Sequence, residues 1–190
     1  MRRAPALILI LLLAACREDQ AQSTEPVALS AEAVGHFCQM NLLEHPGPKA
    51  QVHLEGLPGT PLFFSQVRDA VAYARLPEQS HPILAIWVND MGAEGATWDE
   101  PGADNWIEAG AAHYVIGSTR AGGMGAPELV PFADETAARA FAAQYGGSVT
   151  DLATIPDSAV LTPVPADGAG PADAEFESRL RALSAERKGD

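Results

Sequence analysis

Cysteine is scarce in this sequence, basic side chains are outnumbered, and the familiar catalytic signatures are missing. The 190 residues include only two cysteines, Cys16 and Cys38. That is too few for a disulfide scaffold, a four-thiolate zinc site or an iron–sulfur cluster. Twelve Lys and Arg stand against 25 Asp and Glu, a formal charge of −13, which argues against a nucleic-acid binder because phosphate recognition needs a basic face. Neither Ser65 nor Ser118 lies in a G-x-S-x-G elbow. Gly122, Gly123 and Gly125 lack the Lys-Ser/Thr ending of a phosphate-binding loop. The histidines, at 36, 45, 53, 81 and 113, include no i,i+4 pair of the helical zinc type. Asp99, Glu100, Asp104 and Glu108 lack EF-hand spacing and read as a solvated face. Long apolar runs are also missing, since the longest, Ala4 to Ala15, is too short for a stable membrane span.

With 47% apolar and 19% charged residues the chain is globular in composition, with length for one domain or two small ones. Met1-Arg2-Arg3 followed by the apolar run reads as a secretory signal over residues 1–15. Leu13-Ala14-Ala15-Cys16 resembles a bacterial lipobox, in which the cysteine becomes the first residue and carries the lipid. This implies a lipoprotein anchored to the membrane through Cys16. Arg17 stands where an inner-membrane retention signal has Asp, which leaves outer-membrane sorting open. Cys38 is then the only thiol of the mature chain.

Residues 16–33 are polar and read as a tether. Two similar units follow, 34–92 and 93–152. In the first, Gln51 to Glu55 and Leu62 to Phe64 read as strands, Gln66 to Leu76 as a helix capped by Ser65, and Ile83 to Val88 as a strand buried on both faces. In the second, strands at His113 to Gly117 and Leu129 to Phe132 precede a helix from Asp134 to Tyr145 and a strand from Ser148 to Leu152. A shift of 68 positions lays Phe64 on Phe132, Ala70 on Ala138 and Tyr73 on Phe141. The first strands align with a shift of 62, so the second hairpin loop, Arg120 to Pro127, is six residues longer. The expectation is an α+β fold of two ββαβ units packed together. From 153 to 190, proline, alanine and glycine read as a disordered tail, with a short amphipathic helix available over Asp173 to Lys188.

The sharpest chemical feature is Cys38-Gln39-Met40. If that segment is extended, residues two apart share a face, so a thiolate and a thioether converge, and His36 joins them. Such soft donors favour Cu(I) over hard cations, although a buried cysteine and a core methionine are common. Met124 stands among glycines, without the large apolar neighbours of a core methionine. Trp87, Trp98 and Trp106 fall in one stretch and read as core or core edge, with a partner surface as the alternative. A metal site, a Cys38 thiol enzyme with His36 as base, and a metal-free adaptor all remain open on these residues.

The run Phe37-Cys38-Gln39-Met40, followed by Glu44-His45-Pro46-Gly47-Pro48-Lys49-Ala50-Gln51, resembles the NosL family, the accessory lipoproteins of nitrous oxide reductase. So do Phe64-Ser65-Gln66-Val67-Arg68-Asp69, Val88-Asn89-Asp90, Trp106-Ile107-Glu108-Ala109, His113 to Ser118, and Gly123-Met124-Gly125 with Pro131-Phe132-Ala133. The resemblance spans about residues 34–152 together with the lipobox. It implies a periplasm-facing, non-enzymatic Cu(I) chaperone for the copper–sulfide centre of the reductase. The copper ligands would fall on Cys38, Met40 and Met124, and the partners would be the reductase and its membrane ABC-type maturation complex. Gln39 stands where the family usually has glycine.

Overall fold

The computed structural model describes residues 21–163. The signal segment, Cys16 and the helix read over 173–188 lie outside the described residues. The elements in order are β1 (Ala50–Leu54), β2 (Leu62–Phe64), α1 (Val67–Arg75), β3 (Ile83–Asn89), β4 (Trp106–Glu108), β5 (His113–Ile116), β6 (Val130–Phe132), α2 (Glu135–Tyr145), β7 (Ser148–Asp151) and α3 (Asp157–Leu161). Two antiparallel sheets form, with strand orders β2-β1-β3-β4 and β6-β5-β7. In each, the first strand is central, the hairpin partner lies on one side, and the strand after the helix returns on the other.

The repeat seen in the sequence is physical. Ala70 and Ala138, equivalent on the two helices, are both fully buried. Phe64 meets Tyr73 with ring centroids 5.5 Å apart at 46°, and their counterparts Phe132 and Phe141 meet at 5.4 Å and 50°. Each strand–helix seam is therefore closed by the same tilted aromatic pair. One cluster spans both units, joining Val52, Phe64, Val67 and Val71 to Tyr114, Leu129, Ile155 and Val160. A smaller cluster around Val115, Phe132 and Ala138 fills the second unit.

Several expectations are corrected. Ser65 does not cap α1. The cap position is Gln66, whose side chain makes no cap bond. The strand β3 is not buried on both faces: Val88 and Asn89 are buried, whereas Leu84 is 42% exposed. An antiparallel sheet covered by one helix leaves its other face to solvent or to irregular chain. The strand β4, Trp106–Glu108, is a further element that the sequence reading did not include.

The segment read as a tether packs from Gln22 onward. Gln51 on the uncovered face of β1 accepts from Val27 N at 2.8 Å and donates to Val27 O at 3.0 Å. Trp87 Nε1 donates to Thr24 O at 2.8 Å, and Leu29 and Ala33 are buried. These are contacts between distant side chains and an irregular backbone, which leave no periodic trace in a polar stretch. The same contacts fix His53. Because Gln51 Nε2 donates to Val27, its Oε1 is the acceptor that holds His53 Nε2–H, leaving Nδ1 buried without a partner. Burial accordingly lowers the His53 pKa.

The folded core also continues past residue 152. Arg68 donates from Nε to Ala159 O at 3.0 Å and from its guanidinium to Thr162 O. Arg75 reaches Ile155 O, Leu152 O and the Asp157 carboxylate. Ile155 and Val160 are 3% and 4% exposed. Ending the chain after Asp151 removes both from the core. At ~1.5–3 kcal/mol per buried aliphatic side chain the loss is about 3–6 kcal/mol, a large share of a typical folding free energy. A chain ending after Asp151 is expected to melt roughly 10 °C or more below one ending after Pro163, read by circular dichroism.

Candidate metal centre

The Cys38 segment is not extended. Val34 and Asn41 form an isolated antiparallel bridge, and inside it Gly35 N donates to Met40 O at 3.0 Å while Gln39 N donates to Gly35 O at 2.9 Å. Cys38 therefore sits in a tight turn, and Cys38, Gln39 and Met40 do not alternate across a strand. Any side chain at Gly35 would collide with Cys38 Sγ. The expected projection of His36 to the sulfur face fails for the same reason. Its ring packs against Phe37, Phe64 and Tyr73 at centroid distances of 5.3, 5.6 and 5.5 Å.

Gln39 is the one non-glycine residue with positive φ among the described residues, at 55°. Glycine adopts that conformation freely, whereas a side chain costs about 1–2 kcal/mol there. Gln39 offsets the cost by donating Nε2 to His36 O at 2.7 Å and to Gly35 O at 3.3 Å. The departure from the family's glycine is thus accommodated by a side chain that closes its own turn.

Met124 lies in the hairpin between β5 and β6, closed by a bridge between Ala121 and Pro127. Its backbone N donates to Gln66 Oε1 at 2.9 Å, and Ala126 N reaches the same oxygen at 3.4 Å. Gly123 presses against the 45–46 turn and β2's exit. A Cβ there would lie 2.8 Å from His45 Cβ, 2.9 Å from Pro46 O and 3.2 Å from Ser65 O. A Cβ at Gly35 would lie 3.8 Å from Ser65 N. The Cys38 turn and the Met124 hairpin therefore both approach the backbone of Ser65, just before α1. Met40 and Met124 are 40% and 43% exposed, and Cys38 is a half-buried free thiol. Among the described residues no three His, Cys, Asp or Glu side chains gather as a metal cluster.

Two buried ionisable groups, Lys49 and Glu128, lie beside these loops, and the sequence reading missed them. Lys49 is 1% exposed, and its Nζ donates to His45 O at 2.8 Å, to Pro46 O at 3.1 Å and to Gly47 O. Burial lowers its pKa to about 8, opposed by Glu128 and Cys38. Glu128 is 2% exposed; its Oε1 accepts from Arg68 N and Leu129 N, while Oε2 has no partner. Burial pushes Glu128 up to about 8; the two N–H bonds and Lys49 oppose the rise, and Asp69 adds to it. His45, read as a turn residue, also keeps a buried Nε2 without a partner. Only the His-Pro-Gly-Pro spelling around Lys49 hinted at these groups, because their partners lie up to 60 residues apart.

Two outcomes test this region. Gln39→Ala keeps the strain and loses both side-chain bonds, and is expected to destabilise the protein by about 1–2 kcal/mol in urea melts. Gln39→Gly loses strain and bonds together and should stay within about 1 kcal/mol of the parent. For Glu128, the folded chain keeps a proton between the ordinary 4.5 and about 8 that the unfolded chain releases. Stability therefore falls as pH rises through that window. Glu128→Gln is expected to flatten this slope and to be more stable than the parent above about pH 8, read by the same melts.

Comparison with known proteins bears on this geometry. A family model described as NosL matches residues 26–160. The chain is 62% identical over 173 residues to the copper-binding lipoprotein NosL of Achromobacter cycloclastes, covering 90% of this chain and 89% of that protein. It is 34% identical over 159 residues to the protein of the same name from Stutzerimonas stutzeri, covering 82% and 80%. The crystal structure of the copper chaperone NosL from Shewanella denitrificans superposes with a TM-score of 0.65 at 28% identity, covering 72% of this chain and 98% of that one. With matching extent, fold and motif order, this chain belongs to the NosL family.

Proposed function

We propose that this protein binds Cu(I) through Cys38, Met40 and Met124 and serves as a lipid-anchored, periplasm-facing copper chaperone. Its cargo is destined for the copper–sulfide centre of nitrous oxide reductase, with the reductase and its membrane ABC-type maturation complex as partners. The anchor is Cys16. The observation that carries the reading is that the Cys38 turn and the Met124 hairpin both approach the backbone at Ser65 and Gln66. It brings the loops of two separate units to one place, with soft donors on both. Relatives over nearly the whole chain are named copper-binding lipoproteins.

The donor chemistry suits delivery. One thiolate and two neutral thioethers cancel the single charge of Cu(I) and select it over harder ions. A thioether carries no proton at any physiological pH, so protons do not compete for it as they do for imidazole or thiolate. Low coordination with half-exposed methionines leaves an approach for an incoming ligand. Handover then proceeds by ligand exchange at the protein surface, without release of free copper. The thiol-enzyme alternative loses support, because His36, its only local base, is committed to an aromatic cluster.

An anaerobic Cu(I) titration against a competing chelator tests the site. Cys38→Ser replaces the soft anionic donor with a hard hydroxyl and should weaken binding most. Met124→Leu preserves size at a half-exposed position, so the apo protein should lose well under ~1.5 kcal/mol while copper affinity falls. Met40→Leu should follow with a smaller loss. Copper should raise the melting temperature of the parent, since a ligand held only by the folded state stabilises it. Retained affinity in Met124→Leu would sink the two-loop site. Delivery is read separately, as the copper content of reductase matured with the parent or with Cys38→Ser.

A further inference from the structure

The first unit has two poles. β1 runs from Ala50, beside Lys49, to Leu54, and β2 returns to Phe64, which pairs with Ala50. The helix α1 starts beyond Gln66 and runs back toward Leu76, and β3 restarts at Ile83 against Leu54. The Cys38 turn and Met124 hairpin lie at the pole of Lys49 and Gln66. The loops 55–61 and 76–82 lie at the other, about 17 Å away along five residues of strand.

The N-terminal segment reaches the domain at that second pole. Gln22 Nε2 donates to Leu54 O at 2.7 Å, and Gly56 N donates to Gln22 Oε1 at 2.9 Å. Gln22 follows Cys16 by only six positions, a fully extended reach of about 20 Å. From Gln22 the chain then runs along the open face of β1 toward the copper pole, held at Thr24, Val27 and Leu29. A lipid on Cys16 therefore tethers the domain by its loop pole on a short leash.

That pole also carries the apolar side chains a bilayer would accept. Leu57, Leu76 and Leu84 are 42%, 36% and 42% exposed there. Its charges do not favour acidic head groups: Glu55 and Glu78 are exposed, and Arg75 is taken up by Leu152, Ile155 and Asp157. The leash supplies the attachment and the leucines supply the contact.

Resting on the Cys16 anchor proposed above, we propose that the domain stands on the bilayer through Leu57, Leu76 and Leu84, with its copper pole directed away from the lipid. The exposed Val34, Phe37, Leu43 and Met124 then face the aqueous side, where only a protein partner meets them.

The test uses full-length lipidated protein in nanodiscs containing head-group spin-labelled lipid. In a Cys38→Ser background, a fluorophore is placed on Leu57→Cys or, separately, on Leu43→Cys. Quenching several-fold stronger at 57 than at 43 is expected, with little change when acidic lipid is added. A flexible insertion between Asp19 and Gln20 lengthens the leash and should bring the two positions closer together in quenching while the protein stays on the disc. Equal quenching, or stronger quenching at 43, in disc-bound protein overturns the orientation and leaves the anchor standing. Protein that lacks lipid by mass spectrometry and leaves the disc overturns the anchor, and the orientation with it.

Discussion

The start of α1 is held by the other half of the molecule, and most of the candidate metal centre depends on that hold. A helix begins with backbone N–H groups that have no partner within the helix. Here Glu128, from the second unit, takes the N–H of Arg68, and the neighbouring Gln66 side chain returns the favour by accepting from Met124 N and Ala126 N. Each unit satisfies backbone groups that the other leaves open. Separating the units would expose buried donors on both sides, at a cost of about 1–3 kcal/mol for each unpaired group. The two repeats are consequently one folded body, and the seam between them is where the soft donors lie.

The same hold explains the shape of the enlarged hairpin. Gly122 approaches so closely that a Cβ would lie 2.5 Å from Glu128 Oε2 and 2.6 Å from Gln66 Oε1. Gly123 does the same against Pro46 O and Ser65 O. Met124 is thus presented on backbone that is hydrogen-bonded below and free of bulk on either side. On the opposite wall, Lys49 gathers three carbonyls of the 45–47 turn, which makes that turn rigid without using any side chain of the rim. A half-exposed thioether on a fixed backbone can lose and regain a ligand bond without the fold having to move.

Much of the fold was legible because it is written locally. Apolar pattern and turn residues mark β1, β2, α1 and α2 to within a residue or two, and the aligned Phe64/Phe132 and Tyr73/Phe141 prove to form an equivalent aromatic pair in each unit. Cys38, Met40 and Met124 stood out by residue type and by resemblance. What was misread depends on partners far apart in the chain. Ser65 is a sound local cap, yet a carboxylate 60 residues away from Arg68 displaces it. The polar stretch after Gln22 carries no pattern because Gln51 and Trp87 hold its backbone, not its side chains. Extension at Cys-x-Met was inferred from spacing alone, whereas Gln39 at φ 55° bends it into a turn.

Two similar units that differ in the length of one loop account for how the candidate site is placed on a small fold. Two ββαβ units with equivalent strands, helices and aromatic seams share a core of Val52, Phe64, Val67, Leu129 and Tyr114, the last with its buried hydroxyl bonded to Ala109 O. The hairpin of the first unit, 55–61, stays short and lies at the far pole. The hairpin of the second, six residues longer, has length enough to cross the seam and lie on the first unit's helix start. The thiol comes from the first unit's lead-in, on a turn that precedes β1. The two loops that carry the candidate donors lie outside this core, and a change within one of them, as at Gln39, leaves that packing in place. The division of labour is physical: apolar burial sets the frame, cross-unit hydrogen bonds set the seam, and the candidate donors stand half-exposed above it.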